Sequence, residues 1–238
     1  MDLASANGKL YLISTPIGNL EDITLRALNV LKNVDVIAAE DTRRTRVLLS
    51  HFDIHTRLIS YHAHNEHRKT EELLEKVRAG LKLAVVSDAG TPGIADPGFL
   101  LVREAVKSGI EPEIIPGVSS LTFAAVASAL PIDRFAFYGF PPVKSGRRKT
   151  FFQQIGKEDK TVFIFESPYR IGKALADIAS EIGPEVSVAV IREATKMYEE
   201  VLRGTVSEII SATREKTWKG ECVIGIGSMK NTISEASD

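Results

Sequence analysis

Residues 82–98 read KLAVVSDAGTPGIADPG, and this stretch decides the fold. Lys82 to Val86 reads as a buried strand, because Leu83, Ala84, Val85 and Val86 are all apolar. The 11 residues from Asp88 to Gly98 hold three Gly and two Pro, too many for regular structure. Phe99 to Ser108 then reads as a helix carrying Leu100, Leu101, Ala105 and Val106. The helix entry can be drawn further back, over 97–108, with Asp96 as N-cap, Pro97 at the first helical position and Gly109 as the stop. Glycine lets backbone approach a ligand closely and proline stiffens the chain. A stiff, backbone-lined loop at the C-terminal end of a strand is where open α/β sheets bind ligands.

The same grammar extends to both sides. Lys9–Ser14, Val34–Ala39, Arg57–Tyr61 and Glu113–Ile115 read as further strands. Thr24–Lys32 (Thr24 as a possible N-cap), Thr42–His51 and Glu66–Arg78 read as helices between them. A βαβαβαβαβ order over about 115 residues predicts a mainly parallel sheet with helices on both faces. Val118–Leu130 reads as a helix of small residues, and after Pro131 the pattern restarts. Strands are expected at Phe135–Phe140, Thr161–Phe165, Val186–Ile191, Val201–Gly204 and Glu221–Ile226, with helices at Pro168–Ile182 and Val206–Lys216. The expectation is two α/β domains, 1–117 with a mainly parallel sheet and 118–238 with a mixed sheet. The polar tail from Lys230 reads as frayed.

Composition bounds the class. The chain has 238 residues, 44% hydrophobic and 26% charged, with 30 basic and 31 acidic side chains. A net charge of −1 argues against a uniformly basic nucleic-acid coat but leaves local patches open. One cysteine, Cys222, excludes an internal disulfide framework and suits the cytoplasm. The first ten residues carry no signal-peptide pattern, and no run of about 18 apolar residues predicts a membrane span.

Two further loops repeat the Gly/Pro design: Ser14-Thr15-Pro16-Ile17-Gly18-Asn19 after the first strand, and Ile115-Pro116-Gly117-Val118-Ser119-Ser120 after the fifth. Parallel strands share one C-terminal edge, so all three loops are expected there. Ser119 or Ser120 could cap a helix, or the backbone amides there could bind a carboxylate. Neither G-x-x-x-x-G-K-[ST] nor a strand-to-helix G-x-G-x-x-G occurs. A nucleotide-like ligand without phosphates fits that absence, and S-adenosyl-L-methionine is one.

Other segments admit competing readings. All five histidines lie between residues 51 and 67, and HAHNEH (62–67) resembles the H-x-H-x-D-H zinc motif of metallo-hydrolases. The acid is Glu instead of Asp, and no later histidine exists to complete such a site. Polar helix entry is the simpler reading, and no metal is expected. Arg43, Arg44 and Arg46 share one short helix, and KSGRRK (144–149) reads as a flexible basic clamp carrying Arg147 and Arg148. Each could be a solvated face; together they suggest phosphate contacts. FESPYR (165–170) and REATKMYEE (192–200) follow apolar strands and suggest one wall of an inter-domain cleft, with Arg170 and Lys196 as cations.

Taken together, TPIGNLEDIT, AEDTRRTRVLL, the HNE of YHAHNE, VSDAGTPGIADPG, IPGVSS, GFPP, FESPYR and REATKMYEE resemble the tetrapyrrole-methylase-type (class III) S-adenosylmethionine methyltransferases. Within them the chain is most similar to the branch that 2′-O-methylates a cytidine ribose in the decoding region of 16S rRNA. The resemblance runs from residue 11 to about 226. It departs at Ala95, where Ser is expected, at Tyr169, where His is expected, and at Cys222, where Phe is usual. Many relatives also carry a C-terminal extension past the matching region.

The resemblance implies a cofactor cleft between two domains, a homodimer, and 16S rRNA within the 30S subunit as substrate. By the same matching, Gly90, Thr91 and Pro92 would form the cofactor loop, with Pro16, Ile94, Ser119 and Ser120 as further contacts. Asp88, Glu66 and Glu166 are candidates for the proton acceptor. Arg43, Arg44, Arg46, Arg147, Arg148, Arg170 and Lys196 are candidates for RNA contact. A precorrin-type tetrapyrrole methyltransferase shares the fold and stands as the alternative, ahead of a metal-dependent hydrolase.

Overall fold

The computed structural model describes residues 8–229, so the readings of the extreme N-terminus and of the tail from Lys230 lie outside the described residues. The chain divides into two compact units, Met1–Ser119 and Ser120–Asp238.

Unit 1 is built on five parallel strands, β1 (Lys9–Ile13), β2 (Val36–Ala39), β3 (Arg57–Ser60), β4 (Lys82–Val86) and β5 (Glu113–Ile115), in the order β3-β2-β4-β1-β5. Four helices connect them: α1 (Leu25–Asn33), α2 (Thr42–His51), α3 (Glu66–Arg78) and α4 (Phe99–Lys107). β1 shows why both faces are dry. Leu10 and Leu12 pack on one side with Leu73, Leu74 and Leu101 of α3 and α4. Tyr11 and Ile13 pack on the other with Ala27, Leu31 and Leu49 of α1 and α2. Strands buried on both faces must be apolar throughout, which is how β4 reads.

Local chemistry sets the helix starts. Thr24 caps α1 through its hydroxyl, which accepts from the Ala27 amide at 3.1 Å. The Asp41 carboxylate accepts from the Arg43 amide at 2.8 Å and caps α2. The expected start of α4 at residue 97 is wrong by two residues. Pro97 still belongs to the loop, where its carbonyl accepts from the Gly93 amide at 3.1 Å, and Gly98 occupies the cap position at φ 137° with no side-chain cap. Asp96 is therefore not the cap.

Unit 2 carries β6 (Phe135–Phe137), β7 (Thr161–Glu166), β8 (Ser187–Arg192), β9 (Glu200–Thr205) and β10 (Cys222–Ile226), in the order β6-β7-β10-β8-β9. β6 and β7 are parallel; the other pairings are antiparallel. One face packs on α6 (Ser145–Ile155), α7 (Ile171–Glu181) and α8 (Val206–Ala212); the other packs on α5 (Ser120–Ser128). Thr205 and Glu208 form a reciprocal capping box at the start of α8. Several expected elements are shorter here: β6 ends at Phe137, α7 starts at Ile171 and α8 stops at Ala212.

The basic hexamer is not a flexible clamp. Ser145 to Lys149 are the first residues of α6, and Arg148 faces inward. Its Nε donates to Asp177 Oδ2 at 2.6 Å and its Nη1 to the Val143 carbonyl at 3.1 Å, with its side chain 7% exposed. Arg148 thus leaves the set of RNA-contact candidates: it is a structural cation joining α6 to α7. Removing one partner of a buried pair strands the other charge, at a cost of about 3–5 kcal/mol. Arg148→Met is therefore expected to lower the urea midpoint by that equivalent, and adding Asp177→Leu should recover much of it. Cys222 is buried, and desolvation pushes its thiol up to about 12. Little thiolate exists at neutral pH, so iodoacetamide should label Cys222 only after denaturation.

Candidate functional site

The loops after β1, β4 and β5 converge at one edge of the unit 1 sheet. Thr15 and Gly90 form an isolated antiparallel bridge: the Thr15 amide donates to the Gly90 carbonyl at 2.9 Å, and the Gly90 amide donates back at 3.0 Å. The chain after β4 therefore folds back on the residue that follows its parallel neighbour β1. Gly90 can do this because it sits at φ 76°, where a side chain is disfavoured. The third loop closes on the same point. A Cβ added to Gly117 would lie 2.8 Å from Ser14 Cβ, so only glycine lets the loop after β5 approach so closely.

Side-chain hydroxyls lock the arrangement. Ser14 Oγ and Thr91 Oγ1 are 2.8 Å apart. Thr15 Oγ1 donates to the Ser87 carbonyl at 3.3 Å, and Ser87 Oγ donates to the Ala89 carbonyl at 3.3 Å. These hydroxyls serve the loop itself, so what it offers a ligand is mostly peptide groups. Pro16, Gly90 and Pro92 are buried and Thr91 half-buried in this knot, while Ile94 is exposed. Ala95 joins Gly90, Gly93 and Gly98 at positive φ, a residue without β-branching that the conformation tolerates. Ser119 ends unit 1, and Ser120 opens α5.

Acidic groups surround the entry to this loop. Asp88 Oδ1 accepts from the Asp41 amide at 2.9 Å, and its Oδ2 is 3.3 Å from Arg44 Nη1. The Asp88 amide points to Glu40 Oε2 at 3.4 Å. Burial raises the Glu40 carboxyl above the ordinary glutamate value, and the Asp88 amide only partly offsets this. Arg43 forks onto Asp41 at 3.0 and 2.7 Å, and that bond holds the Asp41 carboxyl far below the carboxylate range. Arg46 is exposed on the same helix. Glu40 and Asp41 were missed by the sequence reading. The available signal was a pair of acids directly after a strand, at the same sheet edge as the Gly/Pro loops.

The HAHNEH segment forms a turn and the start of α3, with Glu66 as its first residue. Asn65 Oδ1 accepts from the His62 amide at 2.9 Å, and His62 and His64 rings meet edge-on at 5.9 Å. Among the described residues no group of three or more His, Cys, Asp or Glu is placed to hold a metal ion.

In unit 2 the candidate residues sit at the end of β7 and after β8. The Glu166 side chain has no exposed surface; its Oε1 accepts from the Ser167 amide and pairs with Arg170, both at 2.7 Å. Lys196 bonds Glu193 and Glu221, each at 2.9 Å. Burial pulls the Lys196 ammonium down, but those two bonds overcome it and the net shift is upward. Arg170 and Lys196 are therefore fixed cations, whereas Arg147 is exposed.

Residues 9–210 match the family model of the tetrapyrrole (corrin/porphyrin) methylases, and the chain belongs to that family. The fold agrees. A uroporphyrin-III C-methyltransferase from Thermus thermophilus, solved with S-adenyl homocysteine, superposes with a TM-score of 0.66 at 18% identity, covering 94% of this chain and 100% of that one. A diphthine synthase superposes at 0.68 and 15% identity, over 92% and 89%. Within the family, the chain is 47% identical over 222 residues to the ribosomal RNA small subunit methyltransferase I of Synechocystis sp., covering 93% of this chain and 80% of that protein. It is 46% identical to the enzyme of that name from Thermotoga maritima, over 91% and 97%.

Gly98 holds the loop's exit at φ 137°, and an added Cβ would lie 3.0 Å from the Gly93 nitrogen. Gly98→Ala is expected to cost about 1–3 kcal/mol, the usual scale of such backbone strain, read as a lowered thermal midpoint.

Proposed function

We propose that the chain is an S-adenosyl-L-methionine-dependent methyltransferase acting on 16S rRNA, at the ribose 2′-hydroxyl of a cytidine in the decoding region. The observation that carries the reading is the backbone knot joining Thr15 to Gly90. It offers peptide groups and no phosphate cradle. Glu40 and Asp88 bring carboxylates to its entry, Asp88 paired with Arg44 and Glu40 with no cation bound to it among the described residues. That chemistry suits a ligand with a cationic sulfonium and no phosphate, and it suits ATP or a dinucleotide poorly. Similarity to the ribosomal RNA small subunit methyltransferases I supports the choice of substrate.

In this reading Gly90, Thr91, Pro92 and Ile94 contribute backbone contacts to the cofactor, with Pro16, Ser119 and Ser120 beside them. The cofactor supplies an activated methyl group on sulfur. The protein's part is alignment and exclusion of water, which together can carry most of the rate for an in-line displacement. Arg43, Arg44, Arg46 and Arg147 offer positive charge to RNA phosphates. Arg170 and Lys196, held by their acids, would do so with little loss of side-chain freedom. Glu66 is half-buried at the start of α3. Asp88 and Glu166 already hold cations and amide donors, so both act as positioning groups. A homodimer in the cytoplasm, acting on the 30S subunit, completes the proposal.

Calorimetry with S-adenosyl-L-methionine, followed by tritium transfer to 30S subunits and to naked 16S rRNA, tests it. A saturable heat and label in a cytidine 2′-O-methyl group are expected. No heat of binding, or transfer to a tetrapyrrole in place of rRNA, overturns the reading.

A further inference from the structure

We propose that Glu40 is the group that takes the proton from the acceptor hydroxyl during methyl transfer. The inference rests on the methyltransferase reading above and adds a residue to it.

Glu40 directly follows β2, the strand between β3 and β4. In register, Ala39 lies beside Ser60 on one side and Val86 on the other. Glu40 therefore emerges between the loop that carries His62 and the loop that carries Asp88 and Gly90. Two cross-strand bonds clasp it there. The Asp41 amide donates to Asp88 Oδ1 at 2.9 Å, and the Asp88 amide donates to Glu40 Oε2 at 3.4 Å. Glu40 Oε2 thus lies within 3.4 Å of the backbone two residues before Gly90. Its other oxygen, Oε1, receives no hydrogen bond among the described residues.

Three other carboxylates are held by cations. Asp88 accepts an amide and pairs with Arg44; Asp41 is forked by Arg43; Glu166 is sealed with Arg170. Glu40 is half-buried at the loop's entry and, among the described residues, makes no ion pair and leaves Oε1 without a hydrogen bond; Asp22 Oδ2 and Glu166 Oε2 also lack partners, but both oxygens are buried. The groups that act on it come from each neighbouring element: Asp88 after β4, Arg44 on α2 and His62 after β3. Burial and the Asp88 charge raise its proton affinity, while the Asp88 amide, Arg44 and His62 lower it; the net shift is upward. A carboxylate moved toward the working pH is a better proton acceptor than an ordinary one. His62, on the loop after β3, has a buried Nδ1 with no hydrogen-bond partner among the described residues.

The step balances without a further reactant. The hydroxyl O–H bond breaks and its proton passes to Glu40 Oε1. The oxygen lone pair forms the new O–C bond to the methyl group. The methyl–sulfur bond breaks with its electron pair remaining on sulfur, which cancels the sulfonium charge as the Glu40 charge is cancelled by the proton.

The test uses the full chain, with Glu40→Gln and Glu40→Asp, in single-turnover tritium transfer to rRNA from acid to neutral pH, beside calorimetry with S-adenosyl-L-methionine. Glu40→Gln should still bind the cofactor saturably, weakened only by the loss of one carboxylate charge, and at saturating cofactor transfer methyl about 10²–10⁴-fold more slowly. The wild-type rate should fall as pH drops through the raised Glu40 value. Glu40→Gln should lack that limb, and Glu40→Asp should retain it, displaced with the new carboxyl. Transfer by Glu40→Gln within about threefold of wild type, or an unchanged acid limb, overturns the inference. Should the amide variant not fold, an unmoved limb in Glu40→Asp overturns it equally. A wild-type chain that binds no cofactor overturns the methyltransferase reading and this inference with it; a competent wild type with an indifferent Glu40→Gln overturns the inference alone.

Discussion

The bridge between Thr15 and Gly90 is the constraint on which the rest of the site depends. A parallel sheet brings the ends of β1 and β4 together but leaves their loops free to diverge. Two reciprocal backbone bonds, at 2.9 and 3.0 Å, stop that divergence. They place Thr91 where it meets Ser14, and they leave the carbonyl of Ser87 within reach of Thr15. The loop after β5 then closes on Ser14 because Gly117 has no side chain. Each hydroxyl contact presupposes the backbone pair.

A second constraint acts beside it through charge. Asp88 begins the same loop and is held by the end of β2 and by Arg44, so the loop is tethered to two strands at once. The cluster concentrates acid next to a segment that carries no cation of its own. In unit 2 the opposite economy holds: Arg170, Arg192, Lys196 and Lys216 each face a glutamate partner.

Much of this was legible in the sequence. Strands buried on two faces announce themselves as apolar runs, and helices α2 and α3 match their expected bounds because each carries a one-sided apolar stripe, which in α2 agrees with the Asp41 cap. The Gly/Pro loops mark the sheet edge for the same reason. Legibility failed where a long-range partner decides. Arg148 sits among exposed basic neighbours and looks like one of them; only Asp177, 29 residues later, makes it internal. Pro97 has the composition of a helix start, yet Gly93 claims its carbonyl for the loop. Glu40 was passed over because an acid after a strand is ordinary until the neighbouring strand brings Asp88 to it.

The spent hydroxyls have a consequence for how such a chain can change. Where a loop is closed by peptide groups, no single side chain carries its shape, and most substitutions outside the glycines leave its path as it was. The solved relatives with this fold, one named for a porphyrin and another for diphthine, share only 15–18% identity with the chain. A sheet edge closed by main chain is the kind of part that can persist through that much replacement.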